Sequence, residues 1–356
     1  MVFNNIDSWI HGFWGINSPN KYCVLANKEL SLPASGKKYF CIVPYKNPKG
    51  EKVASFFYEV KKEFFFVYVS NSKYSEREIK LSASTSKKSY IKKITELKRQ
   101  IQQGNIYEIN YCIEFFSNDV EIDPLTVYNK LNTLTKAPYS SIIKLGDDFI
   151  ISASPELFLK KEGPMLYSKP IKGTAKRGEN KRVDAELKNN LFHNIKERTE
   201  NVMAVDVARN DFSIIAERGT VKVNKLYNIE TYETVHQMVS TVSCELKENL
   251  SFEEIINATF PMASMTGAPK ISAMNLIDEV EDFERKYYSG AMGIIDEDED
   301  FELSVNIRSI FYNQKTKRLS IAVGSAITHL CDPEKEYEEC LLKAEALLKA
   351  LNATII

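Results

Sequence analysis

The N-terminal part of the chain contains short runs in which apolar and aromatic residues dominate. The segments 37–45, 53–60 and 63–70 are rich in aromatic and β-branched residues, a composition typical of strands. Only a short Lys-Lys turn separates the last two, so the pattern predicts two strands joined at that turn. A soft, serine-rich stretch at 82–89 follows and indicates where this portion meets the main body.

Helical spacing begins after that stretch. Ile91, Ile94, Leu97 and Ile101 recur on one face, and Gly104 follows, which predicts a helix over 89–104. The same reasoning predicts further strands at 105–117, 140–145, 148–153, 156–160, 164–171, 221–227, 230–245, 287–296, 301–312 and 317–325, and helices at 124–135, 182–208, 251–258, 269–282 and 333–351. Blocks of strands with interspersed helices and no regular βαβ repeat favour an α+β fold with large antiparallel sheets.

Composition narrows the class of protein. The chain has 356 residues, of which 44% are hydrophobic and 27% charged, enough for one large core. We predict one structural domain, with a β-rich portion at 1–85 integrated into the same fold as a catalytic region at 86–356. The net charge of −1 gives no electrostatic reason to expect nucleic acid or an anionic membrane as partner. Six cysteines without C-x-x-C spacing, no signal-peptide pattern and no long apolar run make the reducing cytoplasm the expected location.

Two pairs of glutamates have the spacing that places both carboxylates on one helix face. Glu197 and Glu200 lie three apart in one predicted helix, and Glu336 and Glu339 lie three apart in another. Two such helices side by side could bind Mg²⁺, which prefers oxygen ligands. The same spacing occurs elsewhere, at 245–248 and 281–284, so the pairs alone more often mark a solvated helix face.

The loop SKPIKGTAKRGEN at 168–180 raises the possibility of a nucleophile. If the strands at 156–160 and 166–172 are neighbours, Glu156 and Lys172 could face one pocket, as a general acid and a nucleophilic amine. Taken alone, such a pair is more often a cross-strand salt bridge. The segment 260–277 could present backbone amides to an anion, and His236 is one of only four histidines, but neither is specific by itself.

Together and in this order, these fragments resemble the chorismate-utilising enzymes. That family comprises the synthase components for anthranilate and aminodeoxychorismate, together with isochorismate and salicylate synthases. The resemblance covers about residues 104 to 351 and rests on the collinear blocks GNIYEINYCIEF, ASPELF, KPIKGTAKRG, ENVMAVDVARND, GTVKVNKLYNIETYETVHQMVSTV, FPMASMTGAPKISAMNLIDEVE, YYSGAMGIID, SVNIRSI and DPEKEYEECLLKAEALLKAL. It implies two large antiparallel β-sheets packed face to face, with helices on the outside.

The resemblance also implies a reaction. Members that form aminodeoxychorismate, in p-aminobenzoate and folate synthesis, carry Lys where Lys172 stands, whereas anthranilate synthases typically carry Ala. Lys172 would attack C2 of chorismate while Glu156 protonates the departing C4 hydroxyl, and ammonia would then add at C4 and expel the lysine. The ammonia would come from a glutamine amidotransferase subunit on a separate chain. The alternatives are anthranilate synthase component I and a non-catalytic chorismate-binding relative.

The matching motifs imply the remaining roles. Mg²⁺ would be held by the four glutamates described above, Glu197, Glu200, Glu336 and Glu339. The substrate-binding residues would be Arg308 and Tyr288 at the enolpyruvyl carboxylate, Lys343 and the amides near Gly324 at the ring carboxylate, and His236 and Thr266 along the ring.

Three departures from the family pattern bear on the site. Glu108 stands where the family usually has Gln, or a Lys base in the members that add water, so isochorismate or salicylate formation is not expected. Ser325 and Ala326 replace glycines, and their Cβ atoms could crowd the ligand. No pattern of a tryptophan-binding pocket is found, so feedback regulation of that kind is not predicted.

Overall fold

The computed structural model describes residues 8–12, 21–25, 36–45, 53–64 and 77–356. Its helices are α1 (Lys87–Gln102), α2 (Pro124–Thr135), α3 (Lys181–His193), α4 (Ile195–Ile215), α5 (Phe252–Thr259), α6 (Lys270–Val280) and α7 (Pro333–Leu351). Its strands are β1 (Ser8–Gly12), β2 (Lys21–Leu25), β3 (Tyr39–Val43), β4 (Phe56–Phe64), β5 (Ile79–Ala83), β6 (Glu108–Ser117), β7 (Tyr139–Leu145), β8 (Asp148–Ser154), β9 (Leu157–Glu162), β10 (Met165–Ser168), β11 (Ile171–Lys176), β12 (Lys222–Thr231), β13 (Val235–Glu245), β14 (Gly267–Ala268), β15 (Ala291–Ile295), β16 (Phe301–Val305), β17 (Ser309–Asn313), β18 (Arg318–Ile327) and β19 (Ala353–Ile355).

The strands form two antiparallel sheets. The first has the order β2–β1–β7–β8–β17–β18–β6, with β5 and β14 pairing along β6. The second has the order β3–β15–β16–β9–β10–β13–β12, and β11 also pairs with β13. Strand β4 belongs to both, because its first half pairs with β3 and its second half with β2. One parallel pair, β5 with β19, lies at the margin.

Buried side chains show how the layers stack. Along β3, Phe40 and Ile42 pack with residues of the first sheet, such as Ile10 and Ile143. The alternate positions of β3 face a second cluster with α4 and α5. Successive side chains of a strand point to opposite faces, so this central strand is buried on both sides. The other face of the first sheet packs on α1, α2, α6 and α7. The predicted α+β fold, two sheets face to face with helices outside, is confirmed.

Several predicted elements differ from the structure. The strand predicted at 164–171 covers β10 and the start of β11, and the segment predicted at 230–245 covers the end of β12 and all of β13. The Lys-Lys turn is wrong, because β4 runs straight through residues 61–62 while its partner changes from β3 to β2; residues 65–70 lie outside the described part of the chain. The single helix at 182–208 is wrong, because Asn194 adopts an extended conformation and caps α4 by accepting a hydrogen bond from the Glu197 amide. The predicted strand at 301–312 is two strands in different sheets.

Other predictions match closely. The helices predicted at 124–135 and 333–351 have the bounds of α2 and α7, both of which begin with a proline after an aspartate cap. The division of the chain at about residue 85 stays a prediction. Among the described helices, none is both long enough and apolar enough to cross a membrane.

Candidate active site between the two sheets

Lys172 lies on β11 of the second sheet, and the residue is 8% exposed. Its ammonium nitrogen Nζ lies 2.5 Å from Oε1 of Glu108, which begins β6 of the first sheet. Gly173 follows with a φ of +87°, and a Cβ there would lie 3.0 Å from Oε2 of Glu197. A glycine therefore lets β11 approach the first turn of α4 closely, which brings the lysine strand against the helix that carries the acidic residues.

The environment of Lys172 favours its charged form. Burial lowers the pKa of this amine, but the carboxylates of Glu108, Glu200 and Glu156 raise it, and the net direction is upward. The substrate-free protein therefore holds a buried ammonium–carboxylate pair. A nucleophilic lysine needs a free amine, so its proton has to be removed during the reaction.

Glu156 lies in the connection between β8 and β9 and is 3% exposed. Its Oε1 accepts a hydrogen bond of 3.1 Å from the Ile171 amide, which fixes the carboxyl beside the residue that precedes Lys172. Burial raises the pKa of Glu156 to about 7, while the Ile171 amide, the Ser264 hydroxyl and Lys172 lower it. A large share of this carboxyl is therefore protonated near neutral pH, as a general acid requires.

The described residues do not form a Glu156–Lys172 salt bridge, which was the simpler interpretation of that pair. The ion pair of Lys172 is with Glu108. The predicted pairing of neighbouring strands holds for β9 with β10, but Lys172 lies on β11, which pairs with β13. Glu108 was noted in the sequence as a departure from the family pattern.

The four predicted metal ligands lie on two helix starts. Glu197 and Glu200 are in the first two turns of α4, and Glu336 and Glu339 are in the first two turns of α7. Burial raises the pKa of Glu200 to about 7, with Lys172 acting in the opposite direction. One cation, Lys196 of α4, forms ion pairs with glutamates of both helices, and the sequence reasoning missed it.

Lys196 contacts three of the four carboxylates. Its Nζ lies 2.9 Å from Oε1 of Glu336, 3.6 Å from Oε2 of Glu339 and 3.8 Å from Oε1 of Glu200. Its side chain is 43% exposed, so the charge reaches the cluster from the solvent side. The spacing of Lys196 to Glu200, i to i+4, was visible in the sequence, but the contact across to α7 was not.

The donor set fits a hard divalent cation. Oε1 of Glu200 and Oε2 of Glu336 are buried and have no hydrogen-bond partner among the described residues, which is costly unless a ligand or an ion binds them. Carboxylate oxygens are what Mg²⁺ prefers. Within the described ranges, no three acidic, histidine or cysteine side chains are close enough together to coordinate one metal ion. The ammonium of Lys196 lies between the glutamates.

Arg308 is a half-buried cation that has no counter-ion among the described residues. Its residue has a φ of +52° in the turn between β16 and β17, and its guanidinium donates one long hydrogen bond, 3.3 Å, to the Lys343 carbonyl. Burial lowers the pKa of Arg308. Among the ion pairs of the described residues none involves Arg308, so its fork of donors can take a carboxylate from a ligand. Tyr288 is buried, with its hydroxyl 3.8 Å from the Cys112 thiol.

Lys343 and Gly324 are in contact with each other. Lys343 Nζ donates to the Gly324 carbonyl at 2.8 Å and lies 2.8 Å from Oε1 of Glu339. A Cβ at Gly324 would lie 2.5 Å from the Cys112 Sγ, so a larger residue there would require the Cys112 side chain to shift. This contact ties β18 to the helix that carries two of the metal-ligand candidates.

The side chain of Ser325, the residue after Gly324, points toward the helix layer. Its hydroxyl lies 2.7 Å from the Tyr90 hydroxyl in the helix layer, and the residue is fully buried. Ala326 is also buried. The side chain of Ser325 therefore packs against α1. Its hydrogen bond points to the helix layer and gives no support to the expectation that this residue crowds a ligand.

His236 and Thr266 are engaged within the protein. The His236 ring nitrogens lie 2.9 Å from Asp184 Oδ1 and 3.0 Å from the Thr231 hydroxyl. The Thr266 hydroxyl donates to the Met262 carbonyl at 3.1 Å. Their predicted places along the substrate ring stay predictions, and Asp184 joins the residues that sequence reasoning did not find.

Comparisons with known proteins show the family to which the chain belongs. The family described as chorismate binding enzyme matches residues 15–349. An aminodeoxychorismate synthase of Streptomyces pristinaespiralis is 40% identical over 266 residues, which are 74% of this chain and 36% of that protein. Anthranilate synthase component 1 of Acetivibrio thermocellus is 33% identical over 281 residues, 78% of this chain and 56% of that protein.

A solved structure shares the whole fold. It is described as a 2,3-dihydroxybenzoate-specific isochorismate synthase of Bacillus anthracis and superposes with a TM-score of 0.76 at 18% identity, covering 97% of this chain and 96% of that chain. The chain belongs to the chorismate binding enzyme family. It spans only part of the curated relatives described above, about a third of the Streptomyces protein and about half of the Acetivibrio protein.

Proposed function

We propose that this chain converts chorismate and ammonia to 4-amino-4-deoxychorismate, as the component 1 of an aminodeoxychorismate synthase. The names of its relatives do not choose between this reaction and anthranilate formation, because both occur among them. The observation that favours it is the buried amine of Lys172, fixed on a strand beside the carboxyl of Glu156. A side chain of that length and charge would obstruct ammonia on its way to C2, where anthranilate synthesis needs it.

The proposed chemistry divides one substitution into two. The neutral Lys172 amine attacks C2 of chorismate, the two ring double bonds shift, and the C4–O bond breaks as Glu156 gives its proton to the leaving hydroxyl, which departs as water. Ammonia then adds at C4, the double bonds shift back, and the C2–N bond breaks. Glu156 recovers a proton from the new C4 ammonium, so atoms and charges balance.

The charged substrate needs cationic partners. Arg308, which lacks a counter-ion among the described residues, is assigned to the enolpyruvyl carboxylate together with the Tyr288 hydroxyl. Lys343 and the amides near Gly324 are assigned to the ring carboxylate. His236 and Thr266 would lie along the ring, where their existing hydrogen bonds hold them in place.

Mg²⁺ is the proposed cofactor. The residues that would hold it are Glu197, Glu200, Glu336 and Glu339. The assignment is supported by the buried oxygens of Glu200 and Glu336, which have no hydrogen-bond partner within the part of the chain that the structure describes. When bound, the ion neutralises negative charge on a substrate carboxylate. The protein itself supplies the two helix starts that carry these carboxylates.

The ammonia source and the pathway are part of the same proposal. A glutamine amidotransferase subunit on a separate chain would supply ammonia, with free ammonium as a substitute at high concentration. The product would serve p-aminobenzoate and folate synthesis, in the cytoplasm.

One reaction tests the proposal. The purified chain is incubated with chorismate, Mg²⁺ and ammonium, and the products are separated by mass spectrometry, with a lyase added in a parallel sample to convert aminodeoxychorismate to p-aminobenzoate. We expect aminodeoxychorismate with the wild-type chain and its loss in Lys172→Ala. Anthranilate from the wild-type chain would instead establish the alternative activity, and no turnover of chorismate would favour a non-catalytic relative.

A further inference from the structure

Because Lys172 is charged, the proposed reaction needs a group that removes its proton, and no residue has yet been assigned to this step. The amine is held as an ammonium by surrounding carboxylates, yet it must be neutral to attack carbon. A group that takes the proton must lie within hydrogen-bond distance, about 2.6–3.2 Å or slightly less in a strong pair. It must also be buried, because the amine itself is closed to solvent.

The carboxylates that interact with Lys172 come from four elements. Glu108 comes from β6, Glu197 and Glu200 from α4, Glu339 from α7 and Glu156 from the β8–β9 connection. Of these, only Glu108 is in contact with Nζ, at 2.5 Å. Glu156 has to keep its own proton for the leaving hydroxyl, and the glutamates of α4 and α7 belong to the proposed metal site.

The backbone holds Glu108 in this position. Its partner across the β6–β14 pair is Ala268, and the preceding Gly267 has a φ of +146°. A Cβ on Gly267 would lie 2.1 Å from the Glu108 carbonyl oxygen, so glycine alone permits this close approach. The carboxylate thus extends from a fixed strand start, and residue 108 itself is only 3% exposed.

We propose that Glu108 accepts the Lys172 proton before the amine attacks chorismate and returns it after the amine leaves; this inference rests on the proposed function. The first transfer changes ammonium and carboxylate into amine and carboxylic acid, with no change in net charge. The transfer therefore buries no additional net charge, and the ammonium form that the surrounding carboxylates favour is restored when the proton returns. After ammonia has added at C4 and the C2–N bond has broken, the released amine takes the proton back from the Glu108 carboxylic acid.

The test compares variants across pH. Glu108→Gln keeps the size and a hydrogen-bonding oxygen but cannot accept a proton, whereas Glu108→Asp keeps the acceptor on a shorter side chain. Glu114→Gln is the matched control, because Glu114 is on the same strand and is paired with Arg318 at 2.9 Å. For each chain, kcat/KM for chorismate is measured with ammonium and Mg²⁺ from about pH 6 to pH 9, and folding is checked by circular dichroism.

We expect Glu108→Gln to lose about a hundredfold or more near neutral pH, the usual effect of removing a proton acceptor. Its rate relative to wild type should rise with pH, because solvent must then take the proton. Glu108→Asp should keep the wild-type pH profile with a smaller loss, and Glu114→Gln should match wild type.

Two results would overturn the inference. One is a Glu108→Gln chain that keeps the wild-type rate. The other is an equal loss at every pH in the Gln and Asp variants, which would make Glu108 a packing partner only. Wild-type formation of aminodeoxychorismate, measured in the same experiment, separates either result from a failure of the proposed function.

Discussion

Replacing Lys196 by methionine should tighten Mg²⁺ binding. The lysine places one positive charge between glutamates of α4 and α7, at 2.9 Å from Glu336, 3.6 Å from Glu339 and 3.8 Å from Glu200. A divalent ion that binds these carboxylates must displace that charge or share them with it. Because the Lys196 side chain is 43% exposed, it has a route into solvent when the ion arrives. Methionine keeps the apolar stem and removes the competitor.

The magnitude follows from Coulomb's law. Two unit charges about 3.5 Å apart interact by roughly 1 kcal/mol at the dielectric constant of water, the appropriate limit for a half-exposed side chain. Three such contacts amount to about 3 kcal/mol, an upper value because the lysine recovers part of it by hydration. If removing the lysine makes the free energy of Mg²⁺ binding more favourable by about 1.4 to 2.8 kcal/mol, the ion binds ten- to hundredfold more tightly.

Isothermal titration calorimetry with MgCl₂ alone measures this directly. We expect a lower Kd for Lys196→Met than for wild type, while Lys196→Arg, which keeps the charge, should stay near wild type. Lys188→Met on α3, an exposed lysine, is the control for an overall change in charge. The Lys196 amine should also react faster with acetic anhydride in wild type once Mg²⁺ is added. Equal affinities for Met and wild type, together with unchanged labelling, would refute the displacement of Lys196.

Three other changes have defined outcomes. Because burial raises the pKa of Glu156 to about 7, its acid form declines above that pH, and kcat/KM should fall about tenfold per pH unit there; a flat profile up to about pH 9 would contradict its role. Ser325→Ala leaves the buried Tyr90 hydroxyl without that partner, so urea unfolding should show a loss of about 1 kcal/mol with KM for chorismate unchanged, and a raised KM would place Ser325 at the ligand. The Arg285 guanidinium bonds Glu281 and two backbone carbonyls, and a lysine cannot make all of these bonds. Arg285→Lys should therefore lower the free energy of unfolding by about 2 kcal/mol or more, and an unchanged midpoint of urea unfolding would contradict this.

Local pattern predicted the elements because each rule depends on near neighbours. The helix over 333–351 was readable from its proline start and its spacing, and α7 has these bounds. The break at Asn194 was not readable, since helical residues continue on both sides and only the side-chain cap on the Glu197 amide ends the register. Strand β4 (Phe56–Phe64) was divided wrongly because its two lysines resemble a turn in the sequence, whereas pairing with β3 and then with β2 keeps them extended.

The chemistry was readable only in part, because its contacts cross between distant segments. The collinear motifs led to Lys172, Glu156 and the acidic pairs. The contact of Lys172 with Glu108 joins one sheet to the other across 64 positions, and no local pattern contains it. Lys196 reaches a helix 140 positions away, so its place among the carboxylates also needed the folded chain.

The most direct test of the account is the mass of the peptide that contains Lys172. The chain is mixed with chorismate and Mg²⁺ without ammonium, quenched rapidly, digested and analysed by tandem mass spectrometry, with Glu108→Gln and Lys172→Ala alongside. The account predicts that the wild-type peptide gains the mass of chorismate less one water on the lysine amine, and that added ammonium removes this adduct as aminodeoxychorismate forms. Aminodeoxychorismate formation by the Lys172→Ala chain at the wild-type rate, with no adduct on the wild-type lysine, would contradict it.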